Sequence, residues 1–148
     1  MRSRGALPAV LLAVLALTGC VTTAVDSGAF TENGKAALDS TISATASAQL
    51  AVQARLSGDA PRTFTDVVVT ESEGSIAPIE SSFGGVDPPT PSDDALRDAV
   101  LDAVGTAGNA ISDARVAIRR DDMTALTKAS SDLQAAQTAL QSLRESLG

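Results

Sequence analysis

Residues 111–133, ISDARVAIRRDDMTALTKASSDL, contain the corner that decides the fold. Arg119 and Arg120 end one segment of apolar periodicity, and Asp121 and Asp122 begin the next. Basic residues are favoured at helix C-termini and acidic residues at N-termini, because they complement the partial charges of the helix ends. A connection this short forces two helices to run antiparallel. The stretch therefore predicts a helical hairpin.

Apolar residues on both sides of the corner recur at alternating steps of four and three, the period of one helix face. The helix predicted over 93–120 has the stripe Leu96, Val100, Val104, Ala107, Ile111, Ala114 and Ile118. The helix predicted over 122–147 has the stripe Leu126, Ala129, Leu133, Ala136, Leu140, Leu143 and Leu147. These two faces are the predicted core of the hairpin.

Ser92 is a suitable N-cap for the helix over 93–120, because two aspartates follow it in the first turn. Gly105 and Gly108 lie beside the apolar stripe of this helix. We expect them to let a neighbouring helix approach closely.

Another helix is predicted upstream, over residues 33–57. Its repeating face is Leu38, Ile42, Thr45, Gln49, Val52 and Leu56. The two polar residues weaken the middle of this face, and several alanines widen it. Gly58 follows at a position suited to end the helix.

The segment from residue 63 to 83 has the weakest helical pattern. Thr63 and Asp66 have the spacing of a capping box, and the predicted buried face is Phe64, Val67, Val68, Ile76, Ile79 and Phe83. Gly74 and Pro78 lie inside the segment, and such residues disfavour a helix interior by about 1 and 3 kcal/mol. A kink or break is therefore expected over 74–78. Residues 67–70 are all β-branched, so a strand over 67–70 is the alternative.

Residues 84–91, GGVDPPTP, are too rich in glycine and proline for a helix and read as a connection. The predicted fold class is therefore all-α: an antiparallel four-helix bundle, or three helices plus an irregular segment if residues 63–83 break. The bundle domain is assigned to residues 31–148. The same spacing could also serve an intermolecular coiled coil.

The start of the chain has the parts of a secretory signal peptide. Arg2 and Arg4 are basic, and residues 6–17 are apolar apart from Pro8. This run is too short for a membrane-spanning helix, which needs roughly 20 residues. Small residues follow it, as at a cleavage site.

The four residues that end this stretch resemble, position by position, the lipobox of bacterial lipoproteins: Leu17, Thr18, Gly19 and Cys20. In that family a diacylglycerol is attached to the cysteine sulfur, and the signal is cut just before the cysteine. The resemblance implies a signal peptide over 1–19 and a lipidated tether over 20–30. The protein would then be anchored on the outer face of the cell membrane. Acylation also accounts for a lone cysteine in an exported chain, since it cannot form an internal disulfide.

Composition limits the partners. The chain has 11 basic and 18 acidic residues and a net charge of −7. Such a surface disfavours nucleic acid, whose binding depends on neutralised phosphates, and flat docking on anionic lipid. The abundance of Ala, Asp and Arg and the scarcity of Lys are typical of high-GC bacteria such as actinobacteria.

The residue types needed for common catalytic sites are missing. The chain has no histidine, which excludes Ser-His-Asp and Cys-His mechanisms and histidine-ligated metals as usually built. Lys35 and Lys128 do not follow a serine at SxxK spacing, because Glu32 and Ala125 occupy those positions. We therefore predict no catalytic residues, no metal site and no cofactor, and interpret the protein as a non-enzyme.

Three acidic residues form a stripe on the third predicted helix. Asp94, Asp98 and Asp102 recur every four residues on one face. Oxygen clusters can bind Ca²⁺ or Mg²⁺, but a single helical stripe spreads its oxygens over about 12 Å. We interpret these three residues, and also Glu71 and Glu73, as solvent-facing.

The functional expectation is a lipid-anchored extracytoplasmic helical protein with an interaction or scaffold role in the cell envelope. Its partners would be membrane lipid, through acylated Cys20, and an envelope protein. The alternative is a lipoprotein that binds a small ligand or a cation inside or across the bundle, as other helix bundles do.

Overall fold

The computed structural model describes residues 24–148, of which about 85% are helical, with no β-strand among them. Five helices follow one another: α1 Ser27–Leu56, α2 Arg62–Gly74, α3 Ile76–Gly84, α4 Pro91–Arg120 and α5 Met123–Ser146. The predicted all-α bundle is confirmed. The predicted signal peptide over 1–19, the lipobox and Cys20 lie outside the described residues.

Helices α2 and α3 together form one broken arm, so the chain makes an up-down-up-down bundle. Helices α1 and α4 run parallel: Ser27 contacts Asp93 at one end, and Arg55 contacts Asp121 at the other. Within residues 24–148, α1 and α4 each pack on every other helix, whereas α2 and α3 do not reach α5. The α1–α4 pair is therefore the central layer, with the arm on one side and α5 on the other.

The α4–α5 corner has the predicted form. Asp121 adopts a left-handed backbone conformation with φ of 55°, which reverses the chain immediately after α4. The side chain of Asp122 then accepts hydrogen bonds from the backbone N–H groups of Thr124 and Ala125, at 3.1 and 2.9 Å. These bonds satisfy donors that every helix leaves open in its first turn. The predicted antiparallel hairpin is confirmed.

The core is built from small aliphatic side chains. The predicted stripes of α4 and α5 are buried, apart from partial exposure of Leu96, Leu143 and Leu147 at the helix ends. In the weak middle of the α1 stripe, Thr45 is fully buried, and its hydroxyl donates to the carbonyl oxygen of Thr41 at 2.8 Å. Gln49 is only partly buried and donates to the Ser130 hydroxyl at 3.2 Å. A buried polar group with such a partner avoids most of the penalty of desolvation.

Helix α1 begins earlier than predicted. Asp26 is its N-cap and accepts a hydrogen bond from the N–H of Ala29 at 2.8 Å. Phe30 is fully buried, with its ring centroid 5.2 Å from that of Phe83. The prediction of a tether over 20–30, with the bundle starting at residue 31, was wrong for residues 27–30. An Asx cap and one aromatic residue outweighed the small, polar composition of this stretch.

The second segment differs most from prediction. Pro61 precedes α2 as its N-cap, so the capping box predicted at Thr63 does not form. Phe64 and Val67 are exposed, and the buried residues are Thr65, Val69, Ser72, Ile76 and Phe83. The hydroxyls of Thr65 and Ser72 donate to backbone carbonyl oxygens one turn earlier, which makes burial of these polar residues tolerable. The true face therefore keeps the four-and-three spacing but with polar members.

The break in this segment falls where glycine and proline predicted it. The arm is interrupted at Ser75, between Gly74 and Pro78, and helix resumes at Ile76. The alternative of a strand over 67–70 was wrong, since these residues are helical.

Helix α4 also starts earlier than predicted, with Thr90 rather than Ser92 as its N-cap. Thr90 and Asp93 form a capping box, and Pro91 occupies the first helical position, where its missing N–H has no consequence. One of the two predicted glycine contacts is close: a Cβ on Gly108 would lie 3.0 Å from Cγ2 of Ile76. A Cβ on Gly105 would meet only Oε1 of Glu80, at 3.6 Å.

Candidate functional site

A surface groove with an open volume of about 1030 Å³ lies between α1 and the broken arm. Its α1 wall includes Ser40, Ser43 and Ser47, and its opposite wall includes Val68 and Ser75. We call this feature the α1–arm groove. It lies where the arm breaks, because the interruption at Ser75 and the small side chains around it leave the two walls incompletely packed.

The groove continues toward the N-terminal end of α1. A second hollow of about 430 Å³ shares Ser40, Pro78 and Ile79 with the first and ends at Phe83 and Val86. This part is more apolar, because alanines form its α1 wall. The two hollows form one continuous channel along the surface of the bundle.

Three serine hydroxyls on the groove walls donate hydrogen bonds to backbone carbonyl oxygens of their own helices. Ser40 and Ser47 donate to carbonyl oxygens of α1 at 2.8 and 3.0 Å, and Ser75 donates to the Glu71 carbonyl oxygen at 3.0 Å. A hydroxyl that donates in this way still offers oxygen lone pairs to a ligand. These three hydroxyls therefore present acceptors to the groove.

The charges on the groove are acidic. Asp39 and Glu71 line it, and none of its lining residues is basic. Asp39 accepts a hydrogen bond of 2.9 Å from Nε of Arg144 on α5, while Glu71 lies exposed on the arm. The groove consequently attracts positively charged groups, although solvent screens each contribution.

An exposed apolar cluster extends the groove at its far end. Leu50, Phe64 and Val67 are 66, 57 and 55% exposed. None of the three lines the groove itself. By helical register Leu50 follows Ser47 by three residues, and Phe64 and Val67 precede Val68 and Glu71 by four, so they lie one turn beyond the two groove walls. We call these three residues the apolar end of the groove.

The acids singled out in the sequence behave as surface residues, with one exception. Asp94, Asp98 and Asp102 are exposed, and Glu71 is too. Among residues 24–148 no three metal-type side chains come together as a metal site. Glu73, however, is partly buried in an ion pair with Arg115 of α4, so the prediction that it faces solvent was wrong.

The Glu73–Arg115 pair links the arm to the central layer. Nη2 of Arg115 donates to Oε1 of Glu73 at 3.1 Å. Partial burial alone would raise the pKa of Glu73, but hydrogen bonds from Arg115 and Ser112 and the charges of Arg115 and Arg119 outweigh it, so the pKa lies below its usual value. This carboxylate therefore stabilises the arm and is not poised for proton transfer.

A buried carboxylate joins the starts of α1 and α4. Asp93 is only 7% exposed, and its Oδ2 accepts from the Ser27 hydroxyl at 2.8 Å and the Thr90 hydroxyl at 2.7 Å. The hydrogen bonds from Thr90 and Ser27 hold its pKa below the usual value. Asp93 therefore joins the first turns of α1 and α4.

A small third hollow of about 250 Å³ lies at the α4–α5 corner and mixes charges. There Nζ of Lys128 donates to Asp132 at 2.5 Å, and this bond raises the pKa of Lys128. The lining of this hollow has three aspartates against Arg120 and Lys128, an excess of one negative charge.

Sequence reasoning did not find the groove. The signal available was the repetition of serine at residues 40, 43 and 47, which follows one helix face. Small polar side chains on a helix face leave room beside it, but they do not reveal which neighbouring helix leaves that room unfilled. The arm does so where it breaks at Ser75.

No helix within residues 24–148 combines the length and apolarity required to cross a membrane. The chain matches no protein-family model, and no curated protein or solved structure is significantly similar to it.

Proposed function

We propose that this protein is a bacterial lipoprotein, anchored through Cys20 on the outer face of the cell membrane, with a non-enzymatic interaction role in the envelope. The observation that carries the proposal is the sequence Leu17-Thr18-Gly19-Cys20 after a basic and apolar leader. Lipid attachment at the mature N-terminus would hold the bundle at the membrane, because two acyl chains give stable anchoring.

The short distance between anchor and fold supports this proposal. Asp26, the N-cap of α1, follows Cys20 by six residues. Six residues reach at most about 20 Å when fully extended. The end of the bundle that contains the starts of α1 and α4 would therefore stay close to the membrane, and the α1–arm groove would run outward from it.

Metabolic labelling tests the anchor. In cells that make lipoproteins, wild-type protein should incorporate a clickable palmitate analogue and mature to begin at residue 20. Cys20→Ser should lose the label and remain an uncut precursor, whereas the control Thr23→Ser should behave as wild type. Unchanged processing and membrane retention of Cys20→Ser would refute the anchor.

Crosslinking in intact cells tests the interaction role. The anchored protein is captured by an affinity tag and its crosslinked partners are identified by mass spectrometry, with Cys20→Ser as control. We expect a reproducible envelope protein that disappears in the control. Repeated captures with no such protein would count against an interaction role.

A second candidate is binding of a small cationic ligand in the α1–arm groove. The acidic lining and the acceptor hydroxyls favour it. A ligand that binds only the folded state raises the melting temperature. The test is a thermal-shift screen of the full chain against metal ions and small amines, and the absence of any shift would exclude this candidate.

A further inference from the structure

We propose that the α1–arm groove is a docking site for a basic amphipathic helix of another protein, held by the exposed carboxylate of Glu71 at its flank and by Leu50, Phe64 and Val67 at its apolar end. The inference rests on the proposed interaction role and gives it a surface and a class of partner. Helix-in-groove recognition uses an apolar helix face laid into such a channel.

The dimensions of the groove fit a helix. Its lining on α1 extends from Asn33 to Ser47, and helical register puts exposed Leu50 one turn beyond. This stretch of α1 is about 25 Å long at 1.5 Å per residue. A partner helix of roughly 17 residues would match this length. Both walls are themselves helical and nearly antiparallel, so a third helix can lie along them as in a bundle.

The middle of the groove allows close approach. Ser43, Ala44 and Ser47 on α1 and Gly74 and Ser75 on the arm carry small side chains. Helices whose contact residues are small pack at short interaxial distances. An occupant with alanine or leucine on one face would therefore find room there without displacing any core residue.

The apolar end supplies the exposed area that such a partner would bury. Leu50, Phe64 and Val67 are more than half exposed, and they are large apolar residues that the bundle itself does not use. Aromatic residues are enriched among those that dominate binding at interfaces. A neighbouring apolar cluster at one end would fix the position of the helix along the groove.

Charge identifies the chemistry of the occupant. The groove is lined by Asp39 and Glu71 with no basic residue. Asp39 is already paired with Arg144, so exposed Glu71 is the charge that would attract lysine or arginine at the edge of the partner helix. A second copy of this chain would bring its own Asp39 and Glu71 against these acids, on top of a net charge of −7. An anionic lipid surface would be repelled for the same reason. A basic helix from a different protein remains the complementary occupant.

A pair of synthetic peptides tests the proposal. Both are fluorescein-labelled 17-residue helices with leucine and alanine on one face, and one has lysine where the other has glutamate at the flanks. Binding is measured by fluorescence anisotropy to the full chain in a non-ionic detergent, with empty micelles as background. The lysine peptide should bind on the order of tenfold more tightly than the glutamate peptide, and more weakly as salt is added.

Matched variants locate the binding site. Ser43→Trp, in the groove, should weaken the lysine peptide by tenfold or more, whereas Ser131→Trp, exposed on α5, should not change it. Glu71→Lys should weaken it on the order of threefold to tenfold, as expected for loss and reversal of an exposed charge. The control Asp102→Lys on α4 should stay within about twofold.

The apolar end has its own test. The double variant Phe64→Ser with Val67→Ser should weaken the lysine peptide while leaving the melting temperature unchanged, because both side chains are exposed. A circular dichroism melt confirms that each variant is folded.

Equal affinity for the two peptides, or unchanged binding by Ser43→Trp, would overturn the docking proposal. The palmitate labelling and the capture of an envelope partner do not depend on the groove. Their success together with failure of the peptide tests would therefore reject the groove and leave the anchored interaction role standing.

Discussion

The hydroxyl of Ser27 donates a hydrogen bond of 2.8 Å to Oδ2 of Asp93 across 66 residues of sequence. The same oxygen accepts from the hydroxyl and the N–H of Thr90. One carboxylate thus completes the capping box of α4 and connects it to the first residue of α1. Two helices that are far apart in sequence begin at a single shared acceptor.

This relationship predicts an acid-sensitive contribution to stability. The pKa of Asp93 is below its ordinary value of 3.8, so the folded state favours the charged form. Its contribution is present above about pH 3.8 and is lost as the pH falls through the lower folded-state pKa. The stability advantage of wild type over Asp93→Asn, from chemical denaturation, should therefore shrink at acidic pH.

The control for this prediction is Asp102→Asn, an exposed aspartate on the same helix. Its difference from wild type should show no comparable decline with acid. A stability difference for Asp93→Asn that stays constant down to the acid limit of folding would contradict a charged role for Asp93.

Two valines of α2 lie only two residues apart but differ in burial. Val69 is fully buried, whereas Val67 is 55% exposed. Val69→Ala should lower the free energy of unfolding by about 1–3 kcal/mol through lost burial and a residual cavity. Val67→Ala should stay within about 0.5 kcal/mol of wild type. Urea denaturation of both variants checks this, and equal losses would mean that the buried face is misassigned.

The two glycines of α4 should respond differently to alanine. Alanine is favoured over glycine in a helix interior by about 1 kcal/mol. Gly105→Ala should realise much of this gain, because the new Cβ meets only Glu80 Oε1 at 3.6 Å. At Gly108 the new Cβ would lie 3.0 Å from Ile76, and overpacking should remove the gain. Thermal melts that rise equally for both variants would contradict the close packing at Gly108.

Leu133 lies in the middle of the buried apolar stripe of α5. It is fully buried, so Leu133→Ala should lower the free energy of unfolding by about 2–5 kcal/mol. Leu133→Asp should be more damaging still, because it places an unpartnered charge in the core. Gln134→Asp, at the exposed neighbouring position, is the matched control and should melt close to wild type.

The hairpin of α4 and α5 could be predicted from sequence because its evidence is local. The periodic aliphatic residues, the change from two arginines to two aspartates at the corner and the glycines beside the stripe all lie within a short stretch. The period indicates which helix face is buried, the charges indicate where one helix ends and the next begins, and the glycines indicate where a neighbouring helix can approach. The break in the arm was predictable for the same reason, since glycine and proline act on their own backbone.

The remaining details depend on contacts between distant residues. The face of α2 was misassigned because Thr65 and Ser72 bury their hydroxyls by bonding to their own helix, whereas the more apolar Phe64 and Val67 lie outside. The start of α1 was missed because Asp26 and Phe30 act through a cap and a contact with Phe83. The groove depends on how α1 and the broken arm pack against each other, which no single segment encodes.

The central position of α1 and α4 also has a consequence for the order of folding. The α4–α5 corner closes a loop of very few residues, whereas the Ser27–Asp93 contact closes one of 66. Loop closure loses more conformational entropy as the loop lengthens, and local contacts form faster than distant ones. We therefore expect the C-terminal hairpin to form first and α1 to dock late, so that the helix nearest Cys20, the proposed site of the anchor, completes the bundle.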